Sequence, residues 1–464
     1  MRTSVILTLG LALAAGGCAA GPDYRAPGNA ALGVPDQYYQ AQGAAASDEQ
    51  LANWWTQLND PTLNTLIDKA IAANPDIEQA KARLRQAREA VVQSRASYLP
   101  SVTGSAGGGR DFDSDAKDSS RFTLGADAAW EIDLFGGIGR SVEAARADTA
   151  ATYYDLASVR TAIIAELATN YVQARLAQEQ LGIARNTLDI QTENLDIAGW
   201  RVQAGLVSSL DQESARAQRA QTAATIPALE SSYRGALNRI AVLIGQAPGD
   251  STKVLEQGGP IPTAPAALVT GIPADTLRQR PDVRSAERTL AAETARIGVA
   301  KAQLLPSLQI TGDIGSSALS LGKLTDIITG SLFASISQVI FDGGQRASNV
   351  RAQRAATDGA FAGYKKSVLT ALEDVENALS AVQSAQGRTE QFTIALDAAS
   401  NSALLARSQY QAGLTDFQTL LTAEQTLLSA RDGLASARAD QALSMVQLYS
   451  ALGGGWQTMD GQTQ

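Results

Sequence analysis

Apolar residues recur every seventh position through two long stretches of the chain. Leu167, Ala174, Leu181, Leu188, Leu195 and Val202 form the first series; Val375, Val382, Thr389, Leu396, Ala403 and Tyr410 form the second, each 208 residues after its counterpart. A hydrophobic period of 3.5 predicts long helices that supercoil against neighbours. No proline lies between Pro100 and Pro227 and none follows Pro306, so a helix from about Ile138 to Trp200 can run unbroken for about 95 Å. Gly205 and Gly413 suit the left-handed residue that closes such a helix. Returning helices follow, from about Ser209 to Ile244 and from Asp416 to Leu452.

Elsewhere the period drops to two. Phe122, Leu124, Ala126, Ala128 and Trp130 alternate with other residues, and Leu308, Ile310, Gly312 and Ile314 alternate with Gln309, Thr311 and Asp313 before Leu332, Ala334 and Ile336. These read as two strand hairpins, one within residues 101–134 and one within 307–341. One apolar and one polar face is the lipid-and-lumen pattern of a transmembrane barrel strand.

The landmarks between these elements also occur twice. Asn74-Pro75-Asp76 returns as Arg280-Pro281-Asp282, Leu99-Pro100-Ser101 as Leu305-Pro306-Ser307, and Phe135, Gly137 and Arg140 as Phe341, Gly343 and Arg346, all 206 positions on. Gln203 to Leu206 returns as Gln411 to Leu414 at 208. The chain is therefore an internal duplication. Each half reads as short helix, hairpin, long helix, tight turn and returning helix. The expected organisation is a signal peptide at 1–17, an N-terminal segment at 18–59, repeats at 60–245 and 274–452 joined by a proline-rich linker at 246–273, and a tail at 453–464. Asp60-Pro61 and Asn74-Pro75 are helix starts in the first repeat, a capping side chain followed by proline at the first helical position.

Two hairpins give four strands, and four strands cannot close a barrel. An open edge in lipid leaves backbone groups unpaired at several kcal/mol each, so other copies must close it. Two copies would supply eight strands with an interior filled by side chains; three would supply twelve and leave a lumen. An open conduit therefore needs at least three copies.

Composition narrows the chemistry. The 464 residues carry a net charge of -9, and aromatic residues are only 5% of them. With no basic cluster, a nucleic-acid role is disfavoured. The chain has no histidine, which removes imidazole catalysis and His-ligated metal sites. No nucleophile, base and orienting group converge, so the expectation is a protein that is not an enzyme. Gly107-Gly108-Gly109 lacks the Lys-Ser or Lys-Thr of a phosphate loop and reads as strand or hairpin. Beyond the N-terminus no stretch reaches the roughly 20 apolar residues of a spanning helix.

At the N-terminus, Arg2, the apolar run Val5 to Leu13 and Ala15-Gly16-Gly17-Cys18 read as a secretory signal. The segment resembles a bacterial lipobox, which implies that Cys18, the only cysteine, is the acylated first residue of the mature chain. The alternative is cleavage near Ala20 with an incidental thiol. Ala19 is not the aspartate that retains lipoproteins in the inner membrane, which by the same resemblance implies the outer membrane.

Several motifs, in order, carry a wider resemblance: Cys18-Ala19-Ala20-Gly21-Pro22-Asp23-Tyr24; Trp54-Trp55 with Asp60-Pro61; Arg280-Pro281-Asp282-Val283 with Ala286-Glu287; Ile297-Gly298 with Pro306-Ser307; and Phe341-Asp342-Gly343-Gly344 with Arg346. Together they resemble the outer membrane efflux protein family, in its TolC-like, lipid-anchored branch. The resemblance implies an α+β membrane protein: a homotrimer with a twelve-stranded outer membrane β-barrel continued by a twelve-helix periplasmic coiled-coil tunnel. It implies a passive export channel for small molecules or drugs, fed by an inner membrane transporter, of RND type, through a periplasmic adaptor (membrane fusion) protein. Outer membrane lipid is a further partner, nucleic acid is not, and the lipid on Cys18 is the one non-protein group.

By the same resemblance, the turns with Gly205 and Leu206 and with Gly413 and Leu414 dock the adaptor; a helix C-cap alone would also explain the glycines. Asp416 falls where the family places an aspartate-lined periplasmic gate, where three facing copies would hold a raised pKa; its alternative is an N-cap carboxylate. Two other readings of the whole chain are a non-conducting coiled-coil envelope lipoprotein and an exit duct for protein secretion. The strand alternation at Leu308 to Ile314 and Phe122 to Trp130 argues against the lipoprotein, because a pure coiled coil has no use for it.

Overall fold

In the computed structural model, residues 19–35, 39, 51–112, 119–249, 253, 255–263 and 274–457 are described. The signal segment and Cys18 lie outside them. After a short 3-10 turn at Trp54–Leu58, the first half contains α1 (Pro61–Ala73), α2 (Pro75–Ala96), β1 (Ser101–Asp111), β2 (Ser119–Ile132), α3 (Gly137–Gln203) and α4 (Ser209–Leu243). The second half contains α5 (Pro281–Ala302), β3 (Ser307–Ala318), β4 (Thr329–Ser337), α6 (Gln345–Gln411) and α7 (Phe417–Ala451). α3 and α6 have 67 residues each, about 100 Å of helix. Among the described residues no helix is long and apolar enough to cross a membrane.

The chain divides into two compact units that do not coincide with the two repeats: each takes pieces of both. The first comprises the described residues of Met1–Gly28, Ala82–Tyr154 and Arg284–Ser367. The second comprises those of Asn29–Lys81, Asp155–Val283 and Val368–Gln464.

The first unit holds a four-stranded antiparallel sheet in the order β1-β2-β3-β4. Its central pair, β2 with β3, joins the two repeats, with Ile132 opposite Leu308 and Phe122 opposite Ala318. The N-terminal motif is fixed to the helices beside the sheet. Ala20 N–H donates to the Phe135 carbonyl at 2.9 Å, and Arg140 donates to the Ala20 carbonyl at 3.1 Å and to Asp23 at 2.6 Å. Tyr24 donates to Glu287 at 2.9 Å. A side chain at Gly21 would begin 2.5 Å from the Gly298 Cα, and Gly21 has φ +95°. Both glycines are required where the two backbones touch.

In the second unit the heptad positions are half of a seam. Their companions three residues on, Ala177, Ala184, Gln191 and Ala198 in α3 and Ala378, Ala385, Ala399 and Ala406 in α6, are buried, whereas Leu188, Leu195, Val202, Thr389 and Leu396 of the series itself are half-buried. Alternating spacings of three and four are those of a supercoiled helix pair, and alanine lets backbones approach closely. Trp54 stacks on Tyr449 with ring centroids 5.6 Å apart and meets Trp55 edge-on at 6.0 Å. The described part of the linker packs here too: the Leu255 carbonyl accepts from Gln178 at 2.7 Å and from Tyr233 at 2.8 Å.

One structural task is done twice with different chemistry. The Asn74 amide donates to the Leu243 carbonyl at 2.8 Å, tying the start of α2 to the last turn of α4. At the equivalent place in the second repeat, Arg280 donates to the Ala451 carbonyl at 2.7 Å, tying α5 to α7. Its guanidinium also bonds Asp282 at 3.0 and 2.7 Å and Asp374 at 3.1 Å.

Candidate channel wall and helix turns

The sheet has two chemically distinct faces, because successive strand residues point to opposite sides. Opposed across β2, β3 and β4 on one side are Phe122, Leu124, Ala126, Ala128, Trp130 and Ile132, then Leu308, Ile310 and Ile314, then Leu332, Ala334 and Ile336. On the other side lie Thr123, Asp127 and Glu131, then Gln309, Thr311 and Asp313, then Ser331, Ser335 and Ser337. Phe333 is the one large apolar side chain on the polar side of these three strands. Leu124, Leu332 and Ile336 are exposed, so the apolar face is uncovered in the single chain. The strand alternation is therefore realised as a wall with one oily and one wet surface, and Gly107 to Gly109 lie within β1.

The two predicted turns close α3 and α6 in the same way. Gly205 N–H donates to the Val202 carbonyl and Leu206 N–H to Arg201; Gly413 N–H donates to Tyr410 and Leu414 N–H to Gln409. This is the Schellman pattern, and the glycines take φ +70° and +74° as it requires. Nothing lies within 4 Å of a Cβ built on either glycine. The C-cap reading is thus realised in full. It leaves Leu206 and Leu414 unexplained: they are 72% and 78% exposed.

The structure brings the two turns to the same end of the second unit. The Arg201 guanidinium lies 4.4 Å from the Tyr410 ring centroid, and Tyr410 and Phe417 rings are 5.3 Å apart. Just behind them is a buried charge: Glu424, 9% exposed, accepts from Asn194 at 2.6 Å and from Arg407 at 2.8 Å. A carboxylate at that depth is stable only when paired and hydrogen-bonded. Periodicity did not reveal this cluster; its one trace in the sequence was the polar Gln191 and Asn194 on a helix face otherwise rich in alanine.

Asp416 is the N-cap of α7, its carboxylate accepting the Thr419 N–H at 2.7 Å. The hydrogen bonds from Thr419 hold its pKa below the usual carboxylate range. In the single chain the direction is therefore opposite to that expected of three facing carboxylates, because the cap favours the charged form. The equivalent position in the first repeat is Ser208, which caps α4 by accepting the Leu210 N–H at 3.2 Å. The two N-caps thus differ by one charge.

Comparison with known proteins places this architecture. Residues 66–246 and 272–454 each match the outer membrane efflux protein family, so the family pattern is met twice, once per repeat. Nodulation protein T of Rhizobium leguminosarum bv. trifolii is 31% identical over 421 residues, covering 89% of each chain. The pyoverdine export outer membrane protein OpmQ of Pseudomonas aeruginosa is 29% identical, covering 96% of this chain and 95% of its own. The solved structure of the outer-membrane channel OprN superposes with a TM-score of 0.83 at 36% identity, covering 95% of this chain and all of that one. The chain belongs to the outer membrane efflux protein family, the outer membrane channels of tripartite efflux systems.

Proposed function

We propose that three copies of this chain close a twelve-stranded barrel in the outer membrane and a periplasmic helical tunnel, through which small molecules leave passively. The observation that carries the reading is the four-stranded sheet with one apolar face, one polar face and, among the described residues, no strand paired with β1 or β4 on its outer side. A strand of 11 residues such as β1, tilted at about 45°, rises about 25 Å, the height of the apolar band of such barrels. The export of pyoverdine by one relative supports a small-molecule cargo over a protein one.

In this reading Leu206 and Leu414 are covered by the tips of a periplasmic adaptor, which hands over cargo from an inner membrane transporter. Their exposure beside rigid Schellman turns supports that role. Asp416 lines the periplasmic mouth; its position at the turn, and the neutral Ser208 in its place in the first repeat, support a distinct task for the second hairpin. Cys18 carries the lipid. Support comes from the residue that follows it, Ala19, whose Cβ lies 2.9 Å from where a side chain at Gly136 would start, just past the end of β2.

Purified protein inserted into a planar lipid bilayer is expected to show discrete conductance steps. Deletion of the gene is expected to raise sensitivity to at least one toxic compound. A particle of three-copy mass that never conducts would refute the channel.

A further inference from the structure

We propose that the open edges of the sheet join in a single register between copies, with β4 alongside β1 of the partner subunit: Ile336 opposite the partner subunit's Ala106 and Ile340 opposite the partner subunit's Val102. This rests on the closed-barrel reading above and specifies its subunit seam.

The register follows from the duplication. β1 pairs with β2 as β3 pairs with β4: Ser101 opposite Ala129 in the first hairpin, Ser307 opposite Ser337 in the second. The pairing therefore sets β4 208 positions after β2 where β3 lies 206 after β1; α6 likewise starts 208 after α3, so the two extra residues fall in the second hairpin's loop, and the spacing of 206 between Phe135 and Phe341 does not mark equivalent places. The repeats already meet once inside the chain, where β2 meets β3. Carrying that junction round by one repeat turns each internal pair into a pair across the seam. Ala128 opposite Gly312 becomes Ile336 opposite Ala106, and Ile132 opposite Leu308 becomes Ile340 opposite Val102. Even positions meet even positions, so the apolar face stays continuous across the join, as a barrel in lipid requires.

Two independent features agree with it. Ile132 and Leu308 are half-buried against each other's strands, yet their counterparts Ile340 and Val102 are 98% and 70% exposed. β4 ends at Ser337, opposite the first residue of β3, since the preceding Pro306 has no N–H to offer. Gln338 to Phe341 lie beyond the end of β4 with no described strand beside them, and β1, starting at Ser101, reaches far enough to pair with them. The second feature is Phe333, exposed on the polar face. The same register sets it opposite the partner subunit's Gly109, around which a Cβ would meet nothing within 4 Å. Within the chain the sheet already lays an aromatic ring over a glycine: a Cβ on Gly108 would lie 3.4 Å from the Phe122 ring opposite.

The test is disulfide formation in full-length protein in outer membranes. Ile336→Cys with Ala106→Cys, and as a second variant Ile340→Cys with Val102→Cys, are expected to give covalent dimers and trimers on a non-reducing gel after mild oxidation. Single-cysteine variants control for linkage through Cys18. Directly opposed residues lie within disulfide reach and residues two places off do not. Ile336→Cys with Gly104→Cys or Gly108→Cys should therefore link at least about ten-fold less. Stronger linkage in either slipped pair would overturn the register while leaving a shared barrel intact. No linkage in any pair, with native mass still that of three copies, would overturn pairing through these edges. A monomer by native mass would remove the barrel reading itself.

Discussion

Replacing Arg280 tests whether the second repeat depends on the tie between α5 and α7. In Arg280→Ala the Ala451 carbonyl loses its donor, and Asp282 and Asp374 lose the cation between them. The Arg280 side chain is 10% exposed while the two carboxylates are 46% and 44% exposed. Losing a charge-assisted hydrogen bond to a buried carbonyl costs roughly 1.5–3 kcal/mol. The half-exposed acids add at most about 1 kcal/mol, because water screens them. The expected destabilisation is about 2–4 kcal/mol. Arg280→Asn supplies the residue the first repeat uses at this place, where Asn74 reaches the Leu243 carbonyl; it should recover about 1 kcal/mol of the loss. The assay is denaturant unfolding of the detergent-solubilised protein, followed by the circular dichroism of its helices. An Arg280→Ala protein as stable as the parent would refute the tie, and Arg280→Asn no better than alanine would refute the equivalence of the two repeats.

Other outcomes follow from the turns. Gly245→Ala should prevent normal folding, since its Cβ would begin 2.2 Å from the Ala73 carbonyl oxygen at φ +72°, whereas Gly205→Ala, in open space, should cost only about 1–2 kcal/mol of left-handed strain; yield of folded protein and unfolding midpoints separate them. Leu206→Ser with Leu414→Ser should leave stability within about 0.5 kcal/mol while abolishing complementation of efflux and cross-linking to the adaptor; unchanged complementation would remove the docking role. Because the Asp416 pKa is lowered on folding, its contribution to the α7 cap is fully present above the ordinary carboxylate range and is lost as pH falls through the depressed value. The protection of the Thr419 amide, taken relative to its intrinsic exchange rate at each pH, should therefore fall at acid pH, and Asp416→Asn should blunt that dependence.

How much was legible in the sequence depended on whether a residue's side chain advertises its task. The turn glycines did, because only glycine tolerates that backbone, and the long helices ended within three residues of where Trp200 suggested, the last turn running on to Gln203. The strands did too, since Leu308 to Ile314 alternate whatever covers them. The alanine half of the seam did not: alanine is common on every face of these helices, so Ala177 or Ala406 carries no periodic signal until a neighbouring helix sits on it. Nor did the Glu424 cluster, whose partners Asn194 and Arg407 come from different helices. Gly21 to Tyr24 stood out as a motif, but its mechanical role emerged only when Gly298 and Arg140 were found against it. β4 ends at Ser337, short of the 341 suggested by the apolar run, because its partner β3 begins at Ser307, behind Pro306.

The unfinished borders of the sheet also bear on inheritance. A subunit that relies on identical neighbours to seal its flanks exports its own damage: in a cell making equal amounts of sound and seam-defective chains, only about one assembly in eight would escape the faulty kind if three copies mix at random. Lesions in β1 or at 338–341 are therefore expected to behave as dominant poisons, whereas those in the interior of either unit, which remove a chain before it assembles, should be recessive.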